Sequence, residues 1–114
     1  NTVLFLNYIN VNTSKKIYLQ LTEIFPGNML VNYFAGKFFM SIYEFSIAEN
    51  FLIVSIDNGN NDPTAFVKLI SVLVNNRKIK EAKKFLLIAL EKFQDNSQIQ
   101  QIFIKVQNKL KQID

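Results

Sequence analysis

Residues 83–94, KKFLLIALEKFQ, repeat a pattern already present at residues 15–26, KKIYLQLTEIFP. Lys15, Lys16, Leu19, Glu23 and Phe25 answer Lys83, Lys84, Leu87, Glu91 and Phe93 at a constant offset of 68. A third copy stands midway. AENFLIVSID at 48–57 precedes AKKFLLIALE at 82–91 by half that offset, and Ala48, Phe51 and Leu52 match Ala82, Phe85 and Leu86. The preceding halves, 29–42 and 63–76, share apolar spacing more than identity. The period is therefore 34. A unit of that length holds one supersecondary element, which cannot bury its apolar face alone and must stack on its neighbours.

Inside each unit the apolar residues recur at three- and four-residue spacing, which predicts helices over 28–42, 43–57, 62–76, 79–93 and 96–112. Asp62 is placed to cap the third of these, with Pro63 at its first position, and Asn96 or Ser97 to cap the last. The polar stretches NVNT (10–13), PGN, DNGNN, NNRK and QDN read as the breaks, and their shortness predicts antiparallel packing of successive helices. Gly and Pro total only five (3 Gly, 2 Pro), which disfavours a turn-rich β fold. The hydrophobic content of 49%, with eleven Phe and four Tyr, is that of a folded domain and not of a disordered chain.

These residues resemble the tetratricopeptide-repeat (TPR) family, whose unit is a 34-residue helix–turn–helix. Ala35 and Gly36, Phe39, Ala48 and Ser55 fit the family pattern in one unit, and Phe66, Leu69, Leu73, Ala82 and Ala89 in the next. Pro26 falls in the terminal-proline position of a first, shortened unit. Three positions depart from the pattern: Ile70 stands where Gly36 stood, Asn32 replaces an aromatic, and Gln94 replaces a proline. The resemblance implies an all-α, TPR-like α-solenoid of antiparallel helix pairs. Residues 1–28 would be a truncated first repeat, 29–62 the second, 63–96 the third, and 97–112 a capping helix. Lys105, Asn108, Lys109, Lys111 and Gln112 would give that cap its polar outer side.

In such a stack the first helix of each pair lines the concave surface. The resemblance thus places Leu30, Tyr33, Lys37, Met40 and Ser41 in a groove with Thr64, Val67, Ser71, Val74 and Asn75. Leu6 and Val3 would join from the first unit. This lining is apolar and aromatic with Lys37 as its one charge, which suits a protein or peptide partner. Contact with adjacent repeats, or with a further N-terminal segment, is the alternative role for the same side chains. A chaperone-type carboxylate clamp uses Lys, Asn and Arg at set positions. The corresponding places hold Tyr33, Phe34, Lys37 and Lys68, so the clamp is not expected.

Charge is unevenly spread within the net +4: residues 1–62 carry three basic and five acidic side chains, residues 63–114 ten and four. Arg77, Lys78, Lys80, Lys83 and Lys84 form a candidate patch for an anionic partner. No aromatic residues interleave them as base-stacking platforms, which disfavours nucleic acid and leaves a solvated helix face as the plainer reading. The chain has no Cys and no His, so thiolate metal sites, cysteine nucleophiles and a histidine general base are all excluded. Glu44 and Glu49 do not share a helix face, and the DNGNND turn (57–62) lacks the spacing of a calcium loop. No enzyme and no cofactor are expected. No apolar run approaches the roughly 20 residues needed to span a bilayer. The first residue is Asn and not Met, which predicts a processed product or an excerpt. The expected function is an interaction scaffold that binds a peptide, a helix or a neighbouring subunit. The alternatives are a regulatory or localising appendage of a larger enzyme or assembly and, after that, a basic RNA-binding solenoid.

Overall fold

The computed structural model describes the backbone of residues 2–113 and the side-chain surroundings of residues 10–112. Six helices follow one another: α1 (Thr2–Ile24), α2 (Met29–Ser41), α3 (Phe45–Asp57), α4 (Pro63–Asn75), α5 (Ile79–Lys92) and α6 (Ser97–Ile113). The starts of α2, α4 and α6 are each separated by one full period, as are those of α3 and α5. Each helix packs on the next, and α4 also packs on α2 and α6, so alternate helices form one layer. No strand occurs among the described residues, and no helix among them is long and apolar enough to cross a membrane.

Local chemistry fixes the helix ends. The Asn28 side chain accepts from Val31 N (2.9 Å), Asp62 from Thr64 N (2.9 Å) and Asn96 from Ile99 N (3.1 Å), each satisfying a backbone donor that the first turn leaves free. The turns out of α2 and α4 place Tyr43 (φ 64) and Arg77 (φ 61) in the left-handed region, at equivalent positions of successive units. That conformation stops the helix in one residue and is strained for a side chain with a Cβ. Gly59 (φ 98) makes the turn after α3 without that cost.

One expected break is absent. NVNT at 10–13 lies inside α1, which runs unbroken from Thr2 to Ile24. Asn and Thr are only mildly unfavourable in a helix, and the segment holds neither Gly nor Pro to stop it. Val3 and Leu6 lie outside the residues whose side chains are described.

The core runs along the stack as Phe39, Ala48, Leu52, Phe66, Leu69, Leu73, Ala82, Leu86, Ala89, Ile99 and Val106. Small residues stand where helices cross. A Cβ on Gly36 would lie 2.7 Å from Leu52 Cγ, and Ile70 occupies the corresponding place in the next unit, where α4 and α5 approach less closely than α2 and α3. Ser55 is fully buried and donates to Met29 O (2.8 Å), while Asn60 Nδ2 donates to Ser55 Oγ (3.0 Å). Asn32 is buried too, and its amide donates to Pro26 O (3.1 Å) and Asn28 O (2.8 Å), holding the turn between α1 and α2. A hydrogen-bonding role thus takes the place of aromatic bulk at that position.

Two ion pairs carry the same period with opposite polarity. Lys15 Nζ meets Glu44 Oε1 at 2.9 Å, and at the equivalent positions of the next unit Glu49 Oε2 meets Lys78 Nζ at 2.7 Å. Each ties one helix to the turn that opens the next unit's second helix. Glu49 is buried and also accepts from Asn76 Nδ2 (2.9 Å), so its carboxylate is not left unsatisfied. The hydrogen bond to Glu49 raises the Lys78 pKa above the ordinary lysine value.

Candidate interaction cleft

Helices α2, α4 and α6 bring equivalent residues of successive units into rows. Leu30, Thr64 and Gln98 form one row, Tyr33, Val67 and Gln101 a second, Lys37, Ser71 and Lys105 a third, and Met40, Val74 and Asn108 a fourth. A hydrogen bond between the Thr64 hydroxyl and Gln98 Oε1 (3.1 Å) reports the register between α4 and α6 directly.

Open clefts lie between these two helices. One of about 820 Å³ is lined by Ser71, Val74, Asn75, Arg77, Ile79, Lys109 and Gln112. A second of about 370 Å³ shares Ser71 and Val74 and adds Ile102, Lys105, Val106 and Asn108. A third, nearer the start of α4, brings Thr64, Val67 and Lys68 against Gln98, Gln101 and Lys105. An apolar floor of Val67, Val74 and Ile102 is therefore edged by ammonium and guanidinium groups and by neutral amides and hydroxyls. Lipophilic and anionic side chains could both find partners there.

The α4 half of the expected lining is thus gathered into one place: Thr64, Val67, Ser71, Val74 and Asn75 all border these clefts. Leu30, Tyr33, Lys37, Met40 and Ser41 share the α2 side of the rows but do not line the described clefts. Tyr33 is half-buried against Phe34 (5.5 Å between ring centres). Burial, and then the Asp62 carboxylate, raise its hydroxyl pKa above the ordinary value.

Lys105, Asn108, Lys109 and Gln112 are exposed on α6, as a polar outer side requires, and they also border the clefts. The clefts thus carry basic groups beside the apolar ones, in addition to the expected lining with Lys37 as its one charge. Extending the repeat by one further step, from Thr64 to Gln98 and from Ser71 to Lys105, was the available signal for the part α6 takes in them.

No protein-family model matches the sequence, and no curated protein matches it either. Solved structures do. The first TPR of Spaghetti (RPAP3), bound to the HSP90 peptide SRMEEVD, superposes with a TM-score of 0.75 at 16% identity, over 93% of this chain and 84% of that one. The second TPR domain of human RPAP3, in complex with the HSP70 peptide SGPTIEEVD, gives 0.74 at 17% identity, over 90% and 86%. MamA MSR-1 C2 gives 0.77 at 14% identity, over 93% of this chain and 61% of that one. The chain has the tetratricopeptide-repeat fold.

On the repeat boundaries expected from the sequence, α2 and α4 are first (A) helices and α1, α3 and α5 second (B) helices, with α6 one period after α4. The basic residues 77–84, in the turn before α5 and on its first turns, are all exposed but have different neighbours. Arg77 borders the cleft of about 820 Å³ beside Lys109. Lys78 is engaged by Glu49. Lys80, Lys83 and Lys84 remain exposed on α5, with the Lys84 ammonium 5.6 Å from the Phe85 ring centre. Among the described residues no group of three or more acidic side chains is placed to hold a metal ion.

Proposed function

We propose that this TPR domain is a non-catalytic protein-interaction module that takes a peptide segment in the cleft between α4 and α6. The segment would carry acidic side chains as well as apolar ones. The observation that carries the reading is the convergence of Lys105, Lys109 and Arg77 around the Val74–Ile102 floor, with Ser71 and Asn75 as neutral hydrogen-bonding groups. Two similarly folded domains are seen with peptides ending in EEVD, which agrees with an acidic ligand. Tyr33, Leu30 and Met40 would extend the surface along α2 for a longer segment. Tyr33, Phe34, Lys37 and Lys68 provide neither Asn nor Arg where a carboxylate clamp needs them. Recognition is accordingly assigned to acidic side chains and not to the peptide's C-terminal carboxylate.

The test is a fluorescence titration with labelled SRMEEVD as free acid and as C-terminal amide. Both forms should bind alike and weaken with salt, since exposed charges are screened beyond about 8 Å at physiological ionic strength. Lys105→Glu with Lys109→Glu should weaken binding about tenfold, at ~0.7 kcal/mol for each exposed charge. A neutral peptide that binds as well, or a double variant that binds unchanged, would contradict the proposal.

A further inference from the structure

The turns out of α2 and α4 are built alike. Tyr43 N donates to Met40 O (3.1 Å) and Arg77 N to Val74 O (3.0 Å), while Glu44 N reaches Phe39 O (2.9 Å) and Lys78 N reaches Leu73 O (2.8 Å). Each turn centres on one left-handed residue, Tyr43 in the first and Arg77 in the second. Glycine holds that conformation without strain, as Gly59 does after α3, and asparagine tolerates it. Tyrosine and arginine do not. Burial does not offset the strain, since Tyr43 is 81% exposed and Arg77 is exposed as well. Strained backbone of this kind gathers at ligand clamps and switches.

Equal turn geometry points the two Cα–Cβ bonds the same way relative to their turns. Arg77 borders the cleft between α4 and α6 together with Ile79, two residues on. Tyr43 and Phe45 are the equivalent pair one unit earlier, and their rings meet edge to face at 6.0 Å. A cation and an aromatic pair thus occupy equivalent places in neighbouring units. Because α2 packs on α4, the two places are separated by about one helix spacing, roughly 8–10 Å. Tyrosine and arginine are also among the side chains that most often dominate the binding energy of an interface.

We propose that Tyr43 and Arg77 determine which peptides the domain takes: Arg77 receives an acidic side chain, and the Tyr43–Phe45 pair receives an apolar or aromatic one three residues away. The proposal rests on the peptide-binding reading of the cleft and adds a sequence pattern to it. The spacing follows from the geometry of an extended ligand. A peptide in the polyproline II conformation rises about 3.1 Å per residue with three residues per turn, so side chains three apart share a face at about 9 Å. Its backbone groups are unpaired in that conformation, and the Asn75 and Gln112 amides of the cleft can bond them. Arg77 can hold a carboxylate through two parallel hydrogen bonds, whereas Lys105 and Lys109 act as point charges.

Thermal melts paired with fluorescence titrations test this. The probes are labelled, amidated Ser-Gly peptides carrying one Phe and one Glu pair, with the Phe one, three or five residues from the nearer Glu and on either side of it. Amidated SRMEEVD serves as the reference ligand. Arg77→Gly and Tyr43→Gly should each raise the melting temperature yet weaken binding of the three-spaced peptide by at least about fivefold, the threshold of an interface hot spot. Arg77→Asn should weaken it equally, which separates loss of the side chain from added backbone freedom. The parent should bind the three-spaced peptide more tightly than the other two in one of the two orders. A parent that binds neither these peptides nor SRMEEVD would overturn the peptide reading and this proposal with it. SRMEEVD binding that needs Lys105 and Lys109, beside glycine variants that hold the three-spaced peptide unchanged, would overturn this proposal alone. So would affinity that ignores the spacing, or variants that lose stability along with affinity.

Discussion

Replacing Gly36 by Ala measures how closely α2 and α3 cross. The new Cβ would lie 2.7 Å from Leu52 Cγ, 2.8 Å from Cδ2 and 3.3 Å from the Leu52 backbone nitrogen, and Leu52 is fully buried and cannot swing into solvent. Two effects oppose each other. Alanine gains about 1 kcal/mol over glycine in a helix interior. Overpacking a close-packed site costs about 1–3 kcal/mol, and contact with both a buried branch point and the backbone puts this one at the upper end. The net loss is about 1–2 kcal/mol, or a fall in melting temperature of about 4–8 °C for a domain of this size. Urea denaturation followed by far-ultraviolet circular dichroism reads it. Leu52→Ala alone should cost about 2–5 kcal/mol through the cavity it leaves. The double variant should be more stable than the sum of the singles by at least about 1 kcal/mol, since the added methyl then enters that cavity. A Gly36→Ala protein more stable than the parent would show that helix propensity dominates and that the crossing is looser than the structure has it.

Other consequences can be measured separately. Glu49→Lys should lower the melting temperature by opposing Lys78, and adding Lys78→Glu should restore much of the loss, because that arrangement already exists at Lys15 and Glu44. Folding holds the Lys78 pKa up, so its pairing contributes fully below the ordinary lysine range and fades as pH rises through the raised value; the gap between the parent and Lys78→Gln should close over that interval. Tyr43→Gly should stabilise the chain by roughly 1 kcal/mol or less, since the left-handed strain removed outweighs the added backbone entropy at an exposed turn. Tyr33 should ionise at higher pH than an ordinary tyrosine, read from its own ring resonances in a pH titration; ionisation at the ordinary value would contradict the burial described.

The architecture was legible because the repeat is a packing rule written in residue size. Ala48, Ala82 and Ala89 mark crossings whichever partner the protein has, and Asp62-Pro63 marks a helix start through hydrogen bonding and a fixed φ. The start of α1 was not legible, because NVNT resembles a turn in composition and only the lack of Gly and Pro shows that a helix can pass through it. The share of α6 in the clefts was hidden for a related reason: its polar stripe suits water, and only packing against α4 shows that it borders a cleft as well. The paired charges at 15/44 and 49/78 have reversed signs, so a search for identical residues passes over their shared geometry. The basic run 77–84 shows the converse: residues adjacent in sequence are divided among a cleft edge, an ion pair and open solvent.

Nitrogen-15 labelled protein titrated with amidated SRMEEVD tests the assignment of the cleft most directly, because amide shifts report where the peptide sits. The largest changes should fall on Ser71, Val74 and Asn75 of α4 and on Ile102, Lys105 and Lys109 of α6, and should diminish in the Lys105→Glu, Lys109→Glu protein. Changes centred on Lys80, Lys83 and Lys84, or on the opposite face around Leu19, Asn50 and Val54, would place the interaction elsewhere and contradict it.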